Sequence, residues 1–205
     1  GETVGTRRDL IAERAHLDSL LDALPYLEEP DEAGGCEWMI TDPENALAIV
    51  EALPKHAALA AVEWPKGKQL RVVTVDSRQL GVVVSGERDW FRLRGQMAVD
   101  ERLVLDFEAL LAAGGARSRF VPMGEGVYAA LTRRLKQQLA DLAALAQTGP
   151  DGVRIPRLAA AWLDETLEGA KVSADAEFGA AIERLRRAQA ESAPLPKAMQ
   201  AELRP

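Results

Sequence analysis

The sequence predicts an α+β fold: a twisted, mostly antiparallel sheet with packed helices, followed by a C-terminal helical part. Three observations predict it. Between residues 36 and 130, short β-branched or alternating runs are separated by turn residues. Strong helix starts interrupt that region, as at Asp42-Pro43-Glu44. After residue 130 the apolar period becomes helical, with Leu131, Leu135, Leu139, Leu142 and Leu145 on one stripe.

The elements follow in order. Residues 6–24 read as an amphipathic helix on Leu10, Leu17, Leu20, Leu21 and Leu24, stopped by Pro25. Residues 27–35 are an acidic, Gly-rich loop, and residues 36–41 a strand. The helix from Asp42 has Asp as cap, Pro at its first position and Glu complementing the positive helix end; it runs to Leu53 before Pro54. Leu59–Trp64 is a predicted strand, which with the strand at 36–41 would make a local crossover unit. Pro65-Lys-Gly-Lys is a turn.

Leu70–Asp76 and Leu80–Val84 are β-branched strands, Ser85-Gly86-Glu87 a turn, and Trp90–Arg94 a strand alternating apolar and basic residues. Met97–Val99 and Leu103–Leu105 flank a tight Asp100-Glu101 turn. Asp106 caps a short helix ending near Gly114-Gly115. Arg119–Val121 and Val127–Ala129 pair as a hairpin across Met123-Gly-Glu-Gly126. Beyond residue 130 the sequence predicts helices only. Thr148-Gly-Pro-Asp-Gly152 breaks the first, residues 156–168 form the second with Gly169 as its stop, and Ser173 caps a third carrying Phe178, Ile182 and Leu185. The expected domains are therefore 1–130 and 131–192, with 193–205 as a connector on Leu195, Met199 and Leu203.

Composition is that of a soluble globular chain: 205 residues, 47% apolar and 28% charged, with room for a real core. No run of 18 apolar residues occurs, so no spanning helix is expected. Gly1-Glu-Thr-Val lacks the pattern of a signal peptide. The single Cys36 has no internal disulfide partner and suits a reducing cytoplasm.

Catalytic constellations do not emerge. There is no phosphate-loop motif and no Gly-x-Ser-x-Gly elbow. His16 and His56 stand far from any ligand at metal-site spacing, and Glu28/Glu29 and Asp164/Glu165 are sequence neighbours rather than a pair across a cleft. No catalytic, cofactor-binding or metal-binding residue is assigned.

Binding residues are easier to nominate. Arg133, Arg134 and Lys136 cluster at one helix start, and Arg184, Arg186 and Arg187 on a late helix. Trp90 and Phe91 are strand neighbours and face opposite ways, so one is core; Arg92 and Arg94 share the face of Trp90. That Trp–Arg–Arg face suits cation–π packing, an inter-domain contact or a phosphate backbone. The net charge of −7 favours contact with a basic protein surface over a strong grip on nucleic acid.

Several segments carry a family resemblance. Val62-Glu-Trp-Pro65, Asp89-Trp-Phe-Arg-Leu-Arg-Gly-Gln-Met-Ala-Val-Asp-Glu-Arg-Leu-Val-Leu105, Arg119-Phe-Val-Pro-Met-Gly-Glu-Gly-Val-Tyr-Ala-Ala-Leu-Thr132 and the terminal Leu203-Arg-Pro205 resemble, in that order, the helicase-associated region of bacterial Swi/Snf-family helicases, up to the box that opens the ATPase core. The resemblance implies a non-catalytic accessory region of an ATP-dependent DNA translocase. It implies that ATP and Mg belong to the motor only, that the partners are the ATPase core of the same polypeptide and, through it, DNA, and that the protein is cytoplasmic and nucleoid-associated when on DNA.

Overall fold

The computed structural model describes residues 8–27, 37–57, 59, 61–149 and 152–190. The fold is α+β with open sheets. The chain divides into two compact units, and neither follows the expected boundary at residue 130. Unit 1 comprises residues 1–75 and 117–132; unit 2 comprises 76–116 and 133–205.

Unit 1 holds α1 (Leu10–Ala23), α2 (Pro43–Ala52), β1 (Arg71–Val75), β5 (Phe120–Gly124) and β6 (Val127–Leu131). Its sheet has the order β1-β6-β5, with β1 parallel to β6 and β5 antiparallel to it. The β5–β6 turn is built on positive φ at Gly124, Glu125 and Gly126. The Asp42 carboxylate caps α2 by accepting from the Glu44 N–H at 2.8 Å, as its sequence predicts.

A charged cluster ties α2 to the sheet. Glu51 accepts from Thr74 Oγ1 at 2.6 Å and forms an ion pair with Arg119, while Lys55 Nζ donates to Thr74 Oγ1 at 3.1 Å. Burial pushes the Glu51 carboxyl up, but hydrogen bonds from Arg119 and Thr74 and the charges of Arg119 and Lys55 outweigh it, leaving the group below its ordinary value.

Unit 2 holds β2 (Leu80–Gly86), β3 (Trp90–Ala98), β4 (Val104–Asp106), α3 (Phe107–Gly115), α4 (Arg133–Leu145), β7 (Gln147–Gly149), β8 (Gly152–Pro156), α5 (Ala160–Thr166), β9 (Lys171–Ala174) and α6 (Ala176–Ala190). The six-stranded sheet runs β7-β8-β3-β2-β9, with β4 also on β3. All pairs are antiparallel except β2 with β9.

One face of this sheet is core. Leu80, Val82, Val84, Phe91, Leu93, Met97, Val153 and Ile155 are buried there with Phe107 and Leu110 of α3, Leu163 of α5 and Phe178 of α6. α4 buries Leu135, Leu139 and Leu142 and packs on α3. The other face carries the alternate residues, most of them polar, as expected of an antiparallel sheet covered on one side.

Several predicted elements change. The described residues form two sheets rather than one. Residues after 130 are not all helical: β8 occupies residues expected to break or begin helices, and Ser173 lies in β9 while Asp175 caps α6. Gly-Val-Arg-Ile-Pro alternates with period two, and an available edge of β3 lets it pair. The described residues of 36–41 and 59–64 form no strand, so the crossover unit is absent. Pro65 lacks the N–H a ladder needs at the end of the second of these. β2 continues through Ser85-Gly86, so the turn falls later, with Glu87 N–H donating to Trp90 O at 2.8 Å. Trp90–Arg94 and Met97–Val99 merge into the single strand β3. Cys36 and the predicted connector at 193–205 lie outside the described residues.

Candidate nucleic-acid interface

Pairing register places the outer-face residues of the six-stranded sheet in rows. One row runs Lys171, Gly81, Gln96, Asp106 across β9, β2, β3 and β4. The next runs Ser173, Val83, Arg94. A third runs Ser85, Arg92, Arg154, Gln147 across β2, β3, β8 and β7. Trp90 and Pro156 close the series. Successive rows lie about 7 Å apart, because every second residue of a strand shares a face.

Trp90, Arg92 and Arg94 thus share the outer face, as the sequence predicts, while Phe91 is core. Their surroundings include two cations that sequence reading missed, Arg154 and Lys171. Both were hidden because β8 and β9 read as helix or loop. The alternation around Val153 and Ile155 was the available signal for the first. β9 is four residues long and carries no comparable pattern.

The charges are unevenly matched. Arg92 and Arg154 stand directly opposite one another, which is unfavourable alone. Glu87 relieves this through an ion pair to Arg92 and an approach to Arg154 Nε at 3.6 Å. Arg94 and Lys171 are exposed and make no ion pair among the described residues. Asp106 lies at the far edge and is engaged in capping α3, accepting from the Ala109 N–H at 2.8 Å. The face is therefore net basic on a chain of net charge −7.

Beneath this face, the Asp89-Trp-Phe segment is held from the core side. The Arg157 guanidinium sits 5.2 Å from the Phe91 ring centroid, its Nε donates to Glu87 O at 2.8 Å, and it pairs with Glu177. The Arg157 N–H donates to Asp89 O at 3.1 Å. Asp175 accepts from Gly86 N–H at 2.6 Å and from Phe178 N–H at 3.0 Å. The Gly86 hydrogen bond is the main reason its carboxyl lies below the ordinary aspartate value; desolvation opposes it, and hydrogen bonds from the Phe178 and Glu177 N–H groups and the Arg157 charge add to it.

A depressed carboxylate stabilises the fold above its unfolded pKa of about 3.9, and the contribution is lost as pH falls through the lower folded value. The expected result is that Asp175→Asn lowers Tm at pH 7 and that the difference from the parent chain shrinks below about pH 4. Thermal melts across that range check it.

The helical clusters do not join the face. Arg134 pairs with Glu168 at 2.7 Å, Arg186 with Asp164 at 3.1 Å and Arg187 with Glu183 at 3.7 Å, while Arg184 Nε donates to Ala180 O. Arg133 is exposed, and Lys136 is half-buried with a partner of its own. Phe178 of α6 meets Phe91 on the core side, so the α6 arginines belong to the opposite side of the sheet from Arg94.

No group of three or more His, Cys, Asp or Glu able to hold a metal occurs among the described residues, and no described helix is long and apolar enough to cross a membrane. Compared with known proteins, the chain matches no family model, no curated protein and no solved structure.

Proposed function

We propose that this chain is a non-catalytic accessory module of a Swi/Snf-type DNA motor, and that it meets nucleic acid through the outer face of its six-stranded sheet. In this reading ATP and Mg act in the ATPase core of the same polypeptide, and the module helps to guide the strand on which that core works. The resemblance of the Asp89-Trp-Phe, Arg119-Phe-Val and Leu203-Arg-Pro segments supports the parent protein. The observation that carries the binding mode is the common face of Trp90, Arg92, Arg94, Arg154 and Lys171. A sheet face with exposed Arg94 and Lys171 and half-buried Trp90, Arg92 and Arg154 offers stacking and phosphate contacts together.

Fluorescence anisotropy with a labelled oligonucleotide tests this. Binding is expected to weaken steeply with salt, and Arg94→Ala is expected to reduce the slope of log affinity against log salt by about one. Absence of binding to single- or double-stranded DNA at low salt overturns it.

A further inference from the structure

The glycines of unit 2 separate into two kinds. At Gly95 an added Cβ would lie 2.7 Å from Gly81 O and 2.9 Å from the Phe107 ring; at Gly114 it would lie 2.6 Å from the Leu139 backbone. Packing requires both. Gly81 differs. It sits inside β2, its φ is not positive, and a Cβ there would meet only Gln96 O, at 3.7 Å, which is ordinary contact. A glycine inside a strand weakens it, and often marks a site where a ligand approaches closely. Neither sterics nor backbone conformation explains its presence.

Its missing side chain leaves a hollow in the outer face. The hollow measures ≈ 360 Å³ and is lined by Gly81, Val83, Arg94, Gln96, Lys171 and Ser173. Arg94 and Lys171, exposed and without an ion pair among the described residues, flank it from β3 and β9. Ser173 and Gln96 add a hydroxyl and an amide. Val83 leaves an apolar wall, 51% exposed. Two cations and two neutral donors around a bare glycine match a tetrahedral oxyanion: guanidinium and ammonium satisfy its charge, and hydroxyl and amide its remaining oxygens.

We propose that the Gly81 hollow is a phosphate seat, and that it takes one phosphodiester of a single nucleic-acid strand running along β3 toward Trp90. This rests on the nucleic-acid reading above. From Arg94 the path passes Arg92 two residues on and reaches Trp90 after two more, about 13 Å along the strand. A single strand can follow that path and lay a base on Trp90; the bases of a duplex are stacked inside it and cannot.

Gly81→Val is the decisive variant, because its Cβ meets only Gln96 O at an ordinary 3.7 Å, its branches enter the hollow, and it replaces a poor strand residue with a good one. Three chains are compared with a labelled oligothymidine, with the same length of DNA as a hairpin duplex, and with inorganic phosphate: the parent, Gly81→Val and Arg92→Glu. The expected result is that Gly81→Val keeps or raises Tm but binds oligothymidine roughly tenfold or more weakly, the size of one lost charge-assisted hydrogen bond. The parent is expected to prefer oligothymidine over the duplex, with inorganic phosphate competing only weakly.

Unchanged binding by a folded Gly81→Val, alongside loss in Arg92→Glu, overturns the seat and leaves the basic face standing. Equal binding of duplex and single strand overturns the single-strand assignment. Tight binding of inorganic phosphate alone assigns the hollow to a free anion and overturns the nucleic-acid occupant. Absence of binding by the parent to every probe overturns both the seat and the reading beneath it.

Discussion

Phe91→Ala is expected to destabilise the fold by about 3–5 kcal/mol, measured by urea denaturation. Phe91 is fully buried on β3 of the six-stranded sheet. Its ring meets Phe178 edge-on, with centroids 5.1 Å apart and planes at 88°, while the Arg157 guanidinium covers it at 5.2 Å. Truncation removes the transfer energy of the ring, leaves a cavity between sheet and α6, and loses both the aromatic pair and the cation–π contact. Trp90→Ala, one residue earlier but on the half-exposed outer face, is expected to cost far less. A large Trp90 effect with a small Phe91 effect would reverse the assignment of faces.

Gly114→Ala is expected to destabilise by about 1–3 kcal/mol, although alanine is the better helix former by about 1 kcal/mol. Sterics win because the new Cβ would lie 2.6 Å from both the carbonyl carbon and the Cβ of Leu139, and 2.7 Å from the amide nitrogen of Ala140. Helix backbone cannot rotate aside, so α3 and α4 must separate and loosen the buried Leu110, Leu135 and Leu139. Gly115→Ala is the control: nothing lies within 4 Å of its added Cβ, and it is expected to be neutral or stabilising. The pair is checked by denaturant midpoints at constant slope.

These two residues show what the sequence made legible. Asp106 as a cap and a helix ending at Gly114-Gly115 follow from local chemistry, and both appear. So do the Asp42 cap and the Gly-rich β5–β6 turn. Local signals do not say which glycine faces a neighbouring helix, because Gly114 and Gly115 differ only in tertiary surroundings. They also do not say that Val153 and Ile155 join a distant strand at Leu93 and Phe91, since those partners lie 60 and 64 residues away. The alternation was present, but the Ala-rich stretch after it reads as helix and absorbed the strand. Val62–Trp64 shows the reverse: β-prone residues with no ladder partner among the described residues.

The site divides in the same way. Trp90, Arg92 and Arg94 could be placed on one face from period two alone. Arg154 and Lys171 could not, because their neighbourhood is created by sheet order rather than by sequence distance. The helical arginines illustrate the complement: clusters prominent in sequence are largely spent on Glu168, Asp164 and Glu183 once folded. A charge run identifies cations, but only the fold shows which remain unmatched.

The most direct measurement is the affinity of the whole chain for a labelled oligonucleotide across a salt series, with Arg94→Ala beside the parent. Salt-sensitive binding is expected, with a slope that falls by about one in the variant. Binding that is absent at low salt, or identical in slope between the two chains, would contradict the claim that the basic face of the six-stranded sheet receives a phosphate backbone.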